Sequence, residues 1–308
     1  MKILLTGSTG LIGSRFEELM YEAHDIIPLS SSHGIDITDK DSIAGFLKDK
    51  DFDVVIHLAG KTDVDGCEMD KEEDLKMLNY REEEILGLDV RNVSTSAWKG
   101  KKTAIAINTI GTKNLYDVTH EYNKKFVYIS SDFIFSGNEE FNSEETKPSP
   151  VNWYGMSKYL GEKVIDTSVD LIVRLSFPYG YANPVKKDLV WKLLDVLSSR
   201  DQVSLVADQV ITPTFIDDIV HGLIFLLEKN SVGTVHLTGS SSLSPFQIGQ
   251  KIKETFLLTT EITESKLADV YAGKAPRPFH SIMKNDKLLH LGYQTKTFEE
   301  GLALLNSA

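Results

Sequence analysis

The sequence predicts an α/β fold: a doubly wound parallel sheet with helices on both faces and a smaller C-terminal lobe. Three observations carry that expectation. The chain opens on an apolar run, Lys2–Thr6, that leads into Gly7-Ser-Thr-Gly10-Leu-Ile-Gly13 and at once into residues of helical apolar spacing, Leu11, Ile12, Phe16, Leu19 and Met20. Apolar runs and helical patterns alternate through the first sixty residues, the signature of parallel βαβ units. Apolar blocks at 125–130 and 170–175 continue the alternation, each behind a helical pattern.

Each element has its own reason. Glycines at a strand-to-helix junction permit a tight turn and let backbone N–H groups approach a pyrophosphate before the helix's positive end. The spacing here is G-x-x-G-x-x-G rather than the commoner G-x-G-x-x-G, and a tight βα turn with no ligand would carry the same glycines. Position favours the ligand, because the motif begins at residue 7, between a strand and a helix. A second strand is expected at 24–30, then a helix opening near Asp39 with Ile43, Phe46 and Leu47 on its apolar side. The block 53–59 (DVVIHLA) reads as a third, fully buried strand. Between 69 and 103 the pattern loosens: 70–88 reads as an acidic, exposed helix and 91–102 as loop. It resumes with a helix at 104–122, a strand at 125–130, a loop with two prolines at 143–150, a helix at 152–166 and a strand at 170–175. Beyond 180, helices are expected at 186–199, 216–229 and 244–255, a short strand at 233–237 and a closing helix at 297–305. Ser244 and Pro245 make an N-cap and first helical position; Thr297 and Glu300 have capping-box spacing.

Composition narrows the class. At 308 residues, with 41% hydrophobic and 25% charged, the chain suits two compact units or one large domain with an appended part. The expected division is 1–176, a dinucleotide-binding domain with a long insertion near 69–103, and 177–308, a substrate-binding lobe interleaved with it. No apolar run approaches the ~20 residues of a membrane span. The first strand leaves no room for a signal peptide, and the single cysteine, Cys67, suits a reducing compartment, so the cytoplasm is expected. A net charge of −12 without a basic run argues against nucleic acid or an anionic membrane.

The chemistry gathers around Tyr154-Gly-Met-Ser-Lys158, with Ser130-Ser131 at the end of the fourth strand. Tyr and Lys four apart share a helix face. A phenol titrates near ~10, so it needs a neighbour that stabilises its anion. Lys158 suits that role and can hold a cofactor ribose, while Ser131 can orient a carbonyl oxygen. An ordinary exposed helical pair would also read Y-x-x-x-K. The serines on a strand and the glycine loop upstream make that the minority reading. Asp63, Asp65 and Cys67 invite a metal, but one thiol without a matching histidine argues against it, and Cys67 reads as a small buried residue.

These residues resemble the extended short-chain dehydrogenase/reductases that act on nucleotide sugars, most closely the dTDP-4-dehydrorhamnose reductase group. The likeness runs nearly end to end, through MKILLTGSTGLIGS, IDITD (35–39), HLAGKTDVDGCE (57–68), INTIGTKNL (107–115), YISSDFIFSG (128–137), WYGMSKYLGE (153–162), RLSFPYG (174–180), DQVITPTFIDDI (208–219) and RPFHSIMKNDKL (277–288). It implies a Rossmann-type fold with the active site in a cleft between sheet and lobe. It also implies hydride transfer from NADPH or NADH to a 4-keto sugar carried on a nucleoside diphosphate. Gly7, Thr9, Gly10, Leu11, Ile12 and Gly13 would cradle the dinucleotide phosphates, Asp36 and Ile37 would lie by the adenine, and Ala59, Gly60, Lys61 and Ser130 would pass near the cofactor. Asn108 matches a family asparagine. Ser131, Tyr154 and Lys158 would be catalytic, with Tyr154 as proton donor and Lys158 lowering its pKa. Asp132, Phe177, Thr212 and Arg277 fall on the substrate side, Arg277 being equally a surface ion pair.

Three departures qualify the likeness. The second strand ends in Leu29-Ser30-Ser31-Ser32-His33, with no acid to reject a 2′-phosphate. Ser30, Ser31 and His33 could instead help to hold NADPH. Phe177 stands where the group often has Trp, and Lys61 where many members have an aromatic residue. The 69–103 stretch is some two dozen residues longer than the group's connection. Two other classes stay open: an epimerase or dehydratase that retains NAD+, and a non-catalytic, cofactor-binding regulatory subunit. The expected partner is a nucleoside-diphosphate sugar, with a homodimer as an admissible assembly.

Overall fold

The computed structural model describes residues 1–180 and 187–307. The chain divides into two units: Met1–Ile134 with Pro150–Val173 and Ser231–Thr234, and Phe135–Ser149 with Arg174–Asn230 and Val235–Ala308. The 135–149 stretch thus groups with the later residues, and the division does not fall at one point near 176.

Among the described residues ten strands are formed: β1 (Lys2–Thr6), β2 (Asp25–Leu29), β3 (Val54–His57), β4 (Lys125–Ser131), β5 (Leu171–Leu175), β6 (Pro178–Tyr179), β7 (Gln202–Val206), β8 (Thr214–Phe215), β9 (Gly233–His236) and β10 (Glu261–Ser265). Six make one sheet in the order β2-β1-β3-β4-β5-β9. β1 pairs parallel with β2 and β3, and β3 pairs parallel with β4. The winding reverses between β1 and β3, and the chain leaving β1 at that point is the glycine loop. Ligands of such sheets bind at this carboxyl-edge switch point. The Rossmann-like α/β expectation holds. β3 is buried along its whole length, as its continuous apolar block requires.

The first unit's helices are α1 (Leu11–Met20), α2 (Lys40–Leu47), α3 (Val64–Met69), α4 (Lys71–Leu78), α5 (Thr112–His120) and α6 (Trp153–Glu162). Asp39 caps α2 by accepting from the Asp41 amide, and Asn152 caps α6 by accepting from Gly155 N–H at 2.8 Å. Two expectations change here. The 104–122 helix is π-helical over Ala106–Gly111 before α5 begins, because Asn108 and Thr109 are buried and bond outward to neighbouring chain. The exposed helix expected at 70–88 ends at Leu78, where Asn79 turns left-handed at φ 55°. Short 3₁₀ turns follow at Glu82–Gly87, Val90–Asn92 and Ser96–Trp98. The stretch is anchored rather than solvated, since Ile85, Leu88, Val90 and Trp98 are all buried.

The second unit carries α7 (Leu189–Ser199), α8 (Ile216–Glu228), α9 (Pro245–Thr255), α10 (Leu267–Val270), α11 (Asp286–Leu291) and α12 (Phe298–Ser307). The expected start at 186 lies outside the described residues, and Asp188 caps α7. Both sequence-read caps form: Ser244 with Gln247, and Thr297 with Glu300. The helices and single short strand expected beyond 180 leave out two small parallel pairs, β7 with β10 and β6 with β8. Within this unit Tyr179 and Phe298 rings pack with centroids 4.9 Å apart in a core that also holds Val190, Phe215, Ile248 and Leu302. Burying one such aromatic ring is worth about 1.5–3 kcal/mol.

Candidate active site

β1 delivers the chain into Gly7, whose φ of +68° is a left-handed conformation that suits glycine. Any Cβ there would also lie 2.7 Å from Ala59 N, so loop and β3 edge are in backbone contact. A side chain at Gly13 would overlap the Gly7 carbonyl. Gly10 begins α1 with no side-chain cap on the first-turn amides, where Leu11 and Ile12 stand half-buried behind exposed Thr9. An uncapped helix start behind a glycine turn is suited to an anion.

At the end of β2, the Ser30 hydroxyl is drawn into a local turn, 2.6 Å from Ser32 Oγ and 2.7 Å from His33 Nδ1. Ser31 stays exposed. Asp36 accepts from Thr38 N–H at 2.9 Å and pairs with Lys102 at 3.2 Å, while Ile37 is buried against Gly111.

Asn108 is the hinge of the next segment. Its Oδ1 accepts from Lys61 N–H at 2.8 Å, and its Nδ2 donates to Lys61 O at 2.9 Å and to Ser157 Oγ at 2.8 Å. One fully buried side chain therefore ties residues 59–61 to α6. Lys61 Nζ pairs with Asp70 at 2.5 Å. A Cβ on Gly60 would stand 3.1 Å from Asn108 Oδ1 and 3.9 Å from Lys158 Nζ. Ala59, Gly60, Lys61, Asn108 and Lys158 are thus brought to one place.

Ser130 and Ser131 end β4 beside α6, and Asp132 follows them in a 3₁₀ turn. The Ser131 hydroxyl donates to Asp132 Oδ1 at 3.1 Å and lies close enough to Tyr154 to act on its phenol. The Phe133 ring stands edge-on to Tyr154 at 5.5 Å. Burial pushes the Tyr154 phenol above its ordinary value; the Ser131 hydrogen bond opposes this, while Asp132 and Cys67 add to it. Lys158 lies over the Tyr128 ring, 4.3 Å from its centroid. Burial brings Lys158 itself down to about 7, against an upward pull from Glu162 and Cys67. Burial also lifts the Cys67 thiol to about 12, so it stays a protonated, buried thiol. Ser130 Oγ is buried with no hydrogen-bond partner among the described residues.

The substrate-side candidates belong to the second unit, apart from Asp132. Phe177 is left-handed at φ 39° and packs half-buried on that unit's core. Thr212 is buried, and its Oγ1 accepts from Met283 N–H at 3.3 Å. Arg277 donates to Ala275 O at 2.7 Å and lies 4.8 Å from the Tyr271 ring centroid.

A family model described as the RmlD substrate binding domain matches residues 1–86 and 93–307. The chain belongs to that family. A probable low-salt glycan biosynthesis reductase of Haloferax volcanii is 30% identical, over all of this chain and 98% of its own. A dTDP-4-dehydrorhamnose reductase of Aggregatibacter actinomycetemcomitans is 25% identical over 98% of this chain and 97% of its own. The solved dTDP-4-dehydrorhamnose reductase of Bacillus anthracis, a complex with NADP, superposes with a TM-score of 0.82 at 28% identity, over 99% and 98% of the two chains. Among the described residues of this RmlD-family chain, no helix is long and apolar enough to cross a membrane.

Sequence reasoning passed over several residues that build the site. Asp70 holds Lys61, Tyr128 lies under Lys158, and Glu68 accepts from the Trp153 amide at 2.7 Å at the start of α6. Only His57 carried a visible signal, as the one imidazole closing an otherwise apolar block.

Proposed function

We propose that the chain is an NADPH-dependent reductase of a nucleoside-diphosphate 4-keto-6-deoxy sugar, of the dTDP-4-dehydrorhamnose reductase type, acting in the cytoplasm. The observation that carries this reading is the buried Tyr154 phenol, with Ser131 acting on it from the end of β4 and Lys158 on the same helix beside Gly60. The reductases among its relatives support it, and the NADP complex supports the choice of cofactor. The chain's own residues fit a dinucleotide: the glycine loop opens on an uncapped helix start, and the Ser130 hydroxyl lacks a partner among the described residues. Gly7, Gly10, Leu11 and Ile12 would face its phosphates, with Ser30, Ser31, Asp36 and Ile37 at the adenosine end and Lys158 on a ribose. NADPH, when bound, supplies the hydride.

The rest falls to side chains. A phenol titrates near ~10, so Tyr154 is protonated at neutral pH, the form a proton donor needs, and burial makes it a weaker acid still. Ser131 donates a hydrogen bond that holds the keto oxygen as charge develops on it, and Tyr154 gives that oxygen its proton. The Lys158 ammonium then lies on the same helix as the phenolate that remains. Carbonyl, hydride and proton balance as an alcohol.

The test is oxidation of NADPH and of NADH with enzymatically generated dTDP-4-keto-6-deoxy sugar, the 4-keto-rhamnose form included. Turnover that is faster with NADPH and lost in Tyr154→Phe is expected. Undiminished turnover in Tyr154→Phe would overturn the proton-donor mechanism, whereas no turnover with NAD+ that stays bound through purification would turn the reading toward a cofactor-retaining epimerase or dehydratase.

A further inference from the structure

His57 closes β3, immediately before the 58–61 segment that passes Gly7 and Lys158, and it is fully buried. Both ring nitrogens meet hydroxyls. Nδ1 lies 2.6 Å from Thr6 Oγ1, and Nε2 lies 3.0 Å from Thr112 Oγ1. A hydroxyl has a single proton, so the other bonds of these threonines decide the direction. Thr112 donates its proton to the Asn108 carbonyl at 2.8 Å. Its oxygen therefore accepts from His57, and the imidazole hydrogen sits on Nε2. Thr6 Oγ1 accepts from the Ala59 amide at 3.0 Å and keeps its own proton for Nδ1.

The bonds thus run one way: Ala59 N–H to Thr6, Thr6 O–H to His57, His57 Nε2–H to Thr112, and Thr112 O–H to the Asn108 carbonyl. A second ring proton would leave the Thr6 hydroxyl without its acceptor in a dry interior, which is costly. The other neighbours agree. The Phe126 and Tyr128 rings flank the imidazole from β4, with centroids 5.9 and 5.8 Å away. Burial, and then the Lys158 charge on α6, hold it down at about 3. The far end of the chain matters because the Asn108 side chain grips both backbone groups of Lys61. Residues 59–61 are held at one end through His57 and at the other by Asn108 itself.

We propose that His57 is a positioning residue for the dinucleotide site: a neutral imidazole protonated on Nε2, which spans the Ala59 amide and the Asn108 carbonyl and so fixes the path of residues 59–61 between the glycine loop and Lys158. The tautomer stands on the hydrogen bonds alone, whereas the positioning role rests on the proposed NADPH site.

Two measurements test it. Long-range ¹H–¹⁵N correlation on the ¹⁵N-histidine-labelled chain reads the tautomer, with His57 assigned through its contacts to Phe126 and Tyr128. The Nε2–H pattern is expected, unchanged between about pH 5.5 and 8.5, where an ordinary imidazole titrates. An Nδ1–H pattern, or a titration in that window, would overturn the proposal. NADPH binding, read by nicotinamide fluorescence, then separates positioning from simple packing. Thr112→Val keeps the shape and loses the hydroxyl, so it should bind NADPH about tenfold more weakly, the size of one lost buried hydrogen bond. Thr112→Ser keeps the hydroxyl and should bind within about threefold of the parent. Equal affinities for the two variants would refute the positioning role. A parent chain that binds no NADPH would refute the functional reading, and the spectrum would still decide the tautomer.

Discussion

Two polar regions flank α6, and they treat their buried groups in opposite ways. In the 64–103 stretch nearly every carboxylate is engaged. Glu68 caps the Trp153 amide, Asp70 takes both Lys61 Nζ and the Ala104 amide, and Asp74 takes the Trp153 indole at 2.8 Å and the Ile105 amide at 3.1 Å. Around Ser131, Tyr154 and Lys158 the groups are less fully engaged: Ser130 Oγ has no partner among the described residues, and Lys158 rests on an aromatic ring. Buried polar groups are normally hydrogen-bonded, so an unsatisfied cluster stores instability that a ligand relieves. Asp74 Oδ1 is the exception on the other side, buried with no hydrogen-bond partner among the described residues. The contrast separates what holds α6 from what α6 presents.

The sharpest break of that contrast is Tyr154→Phe, which removes one oxygen from the presenting region. Turnover should fall by about a thousandfold, within the range of general acid catalysis, while the thermal midpoint stays within a few degrees of the parent. A large loss of stability would instead place Tyr154 with the scaffold.

Lys158→Met tests the same region with the opposite sign for stability. The buried lysine is pushed down from 10.5 to about 7, so between those values the unfolded chain holds a proton that the folded chain has released. Stability from this group therefore rises as pH climbs from about 7 to 10.5, and the full penalty is present below 7. Replacing Lys158 by Met should stabilise the chain near neutral pH by on the order of a few kcal/mol while abolishing turnover. The gain should vanish toward pH 10.5. Thermal unfolding of both chains across that range checks it, and a destabilised variant at neutral pH would contradict the stored-instability account.

Asp74→Ala acts on the scaffold. It strands the Trp153 indole and the Ile105 amide in the interior, for a loss of about 2 kcal/mol or more in urea unfolding. Asp74→Asn, which keeps an acceptor, should recover a good part of it. NADPH affinity measured on whatever remains folded should change far less than stability does. A stability-neutral Asp74→Ala would mean that 64–103 merely lies against α6.

The same contrast explains what the sequence disclosed. The glycine loop, the helix opening near Asp39, the capped starts at Ser244 and Thr297, and the Tyr154–Lys158 face are local: a few adjacent residues determine them, so they could be read directly. β7 and β10 were missed because each is a short, partly exposed strand with polar residues such as Gln202, Ser204, Glu261 and Glu264, and only their mutual pairing makes them strands. The π-helical turn at 106–111 was hidden for a different reason. Its apolar spacing suits an α-helix, and the deviation arises where Asn108 and Thr109 bond to Lys61 and Ser157, far away in sequence. The 64–103 stretch looked solvated because its anchors, Ile85, Leu88, Val90 and Trp98, are too sparse to set a period. The raised Tyr154 pKa was out of reach too, since burial, not the i, i+4 neighbour, governs it.

The smallest predicted effect marks the outer limit of the scaffold. Lys102 reaches back from the end of the stretch to Asp36 at 3.2 Å, and Lys99 reaches Asp39 at 2.9 Å, which together resemble a clasp on the 36–39 loop. Both lysines are largely exposed, with 67% and 62% of their side-chain surface open to solvent. Water screens such pairs, and holding two long side chains in place costs entropy, so each contributes little. The loop is held instead by groups that do not depend on charge: Gly100 N–H donates to Thr38 Oγ1 at 2.9 Å, and Asn114 donates to Ile37 O at 3.1 Å. Lys102→Ala should therefore shift unfolding by less than about 0.5 kcal/mol, and the shift should disappear in high salt. If it instead weakened NADPH binding several-fold without touching stability, Lys102 would move from the scaffold to the presenting side, and the boundary between the two regions would have to be redrawn through the 36–39 loop.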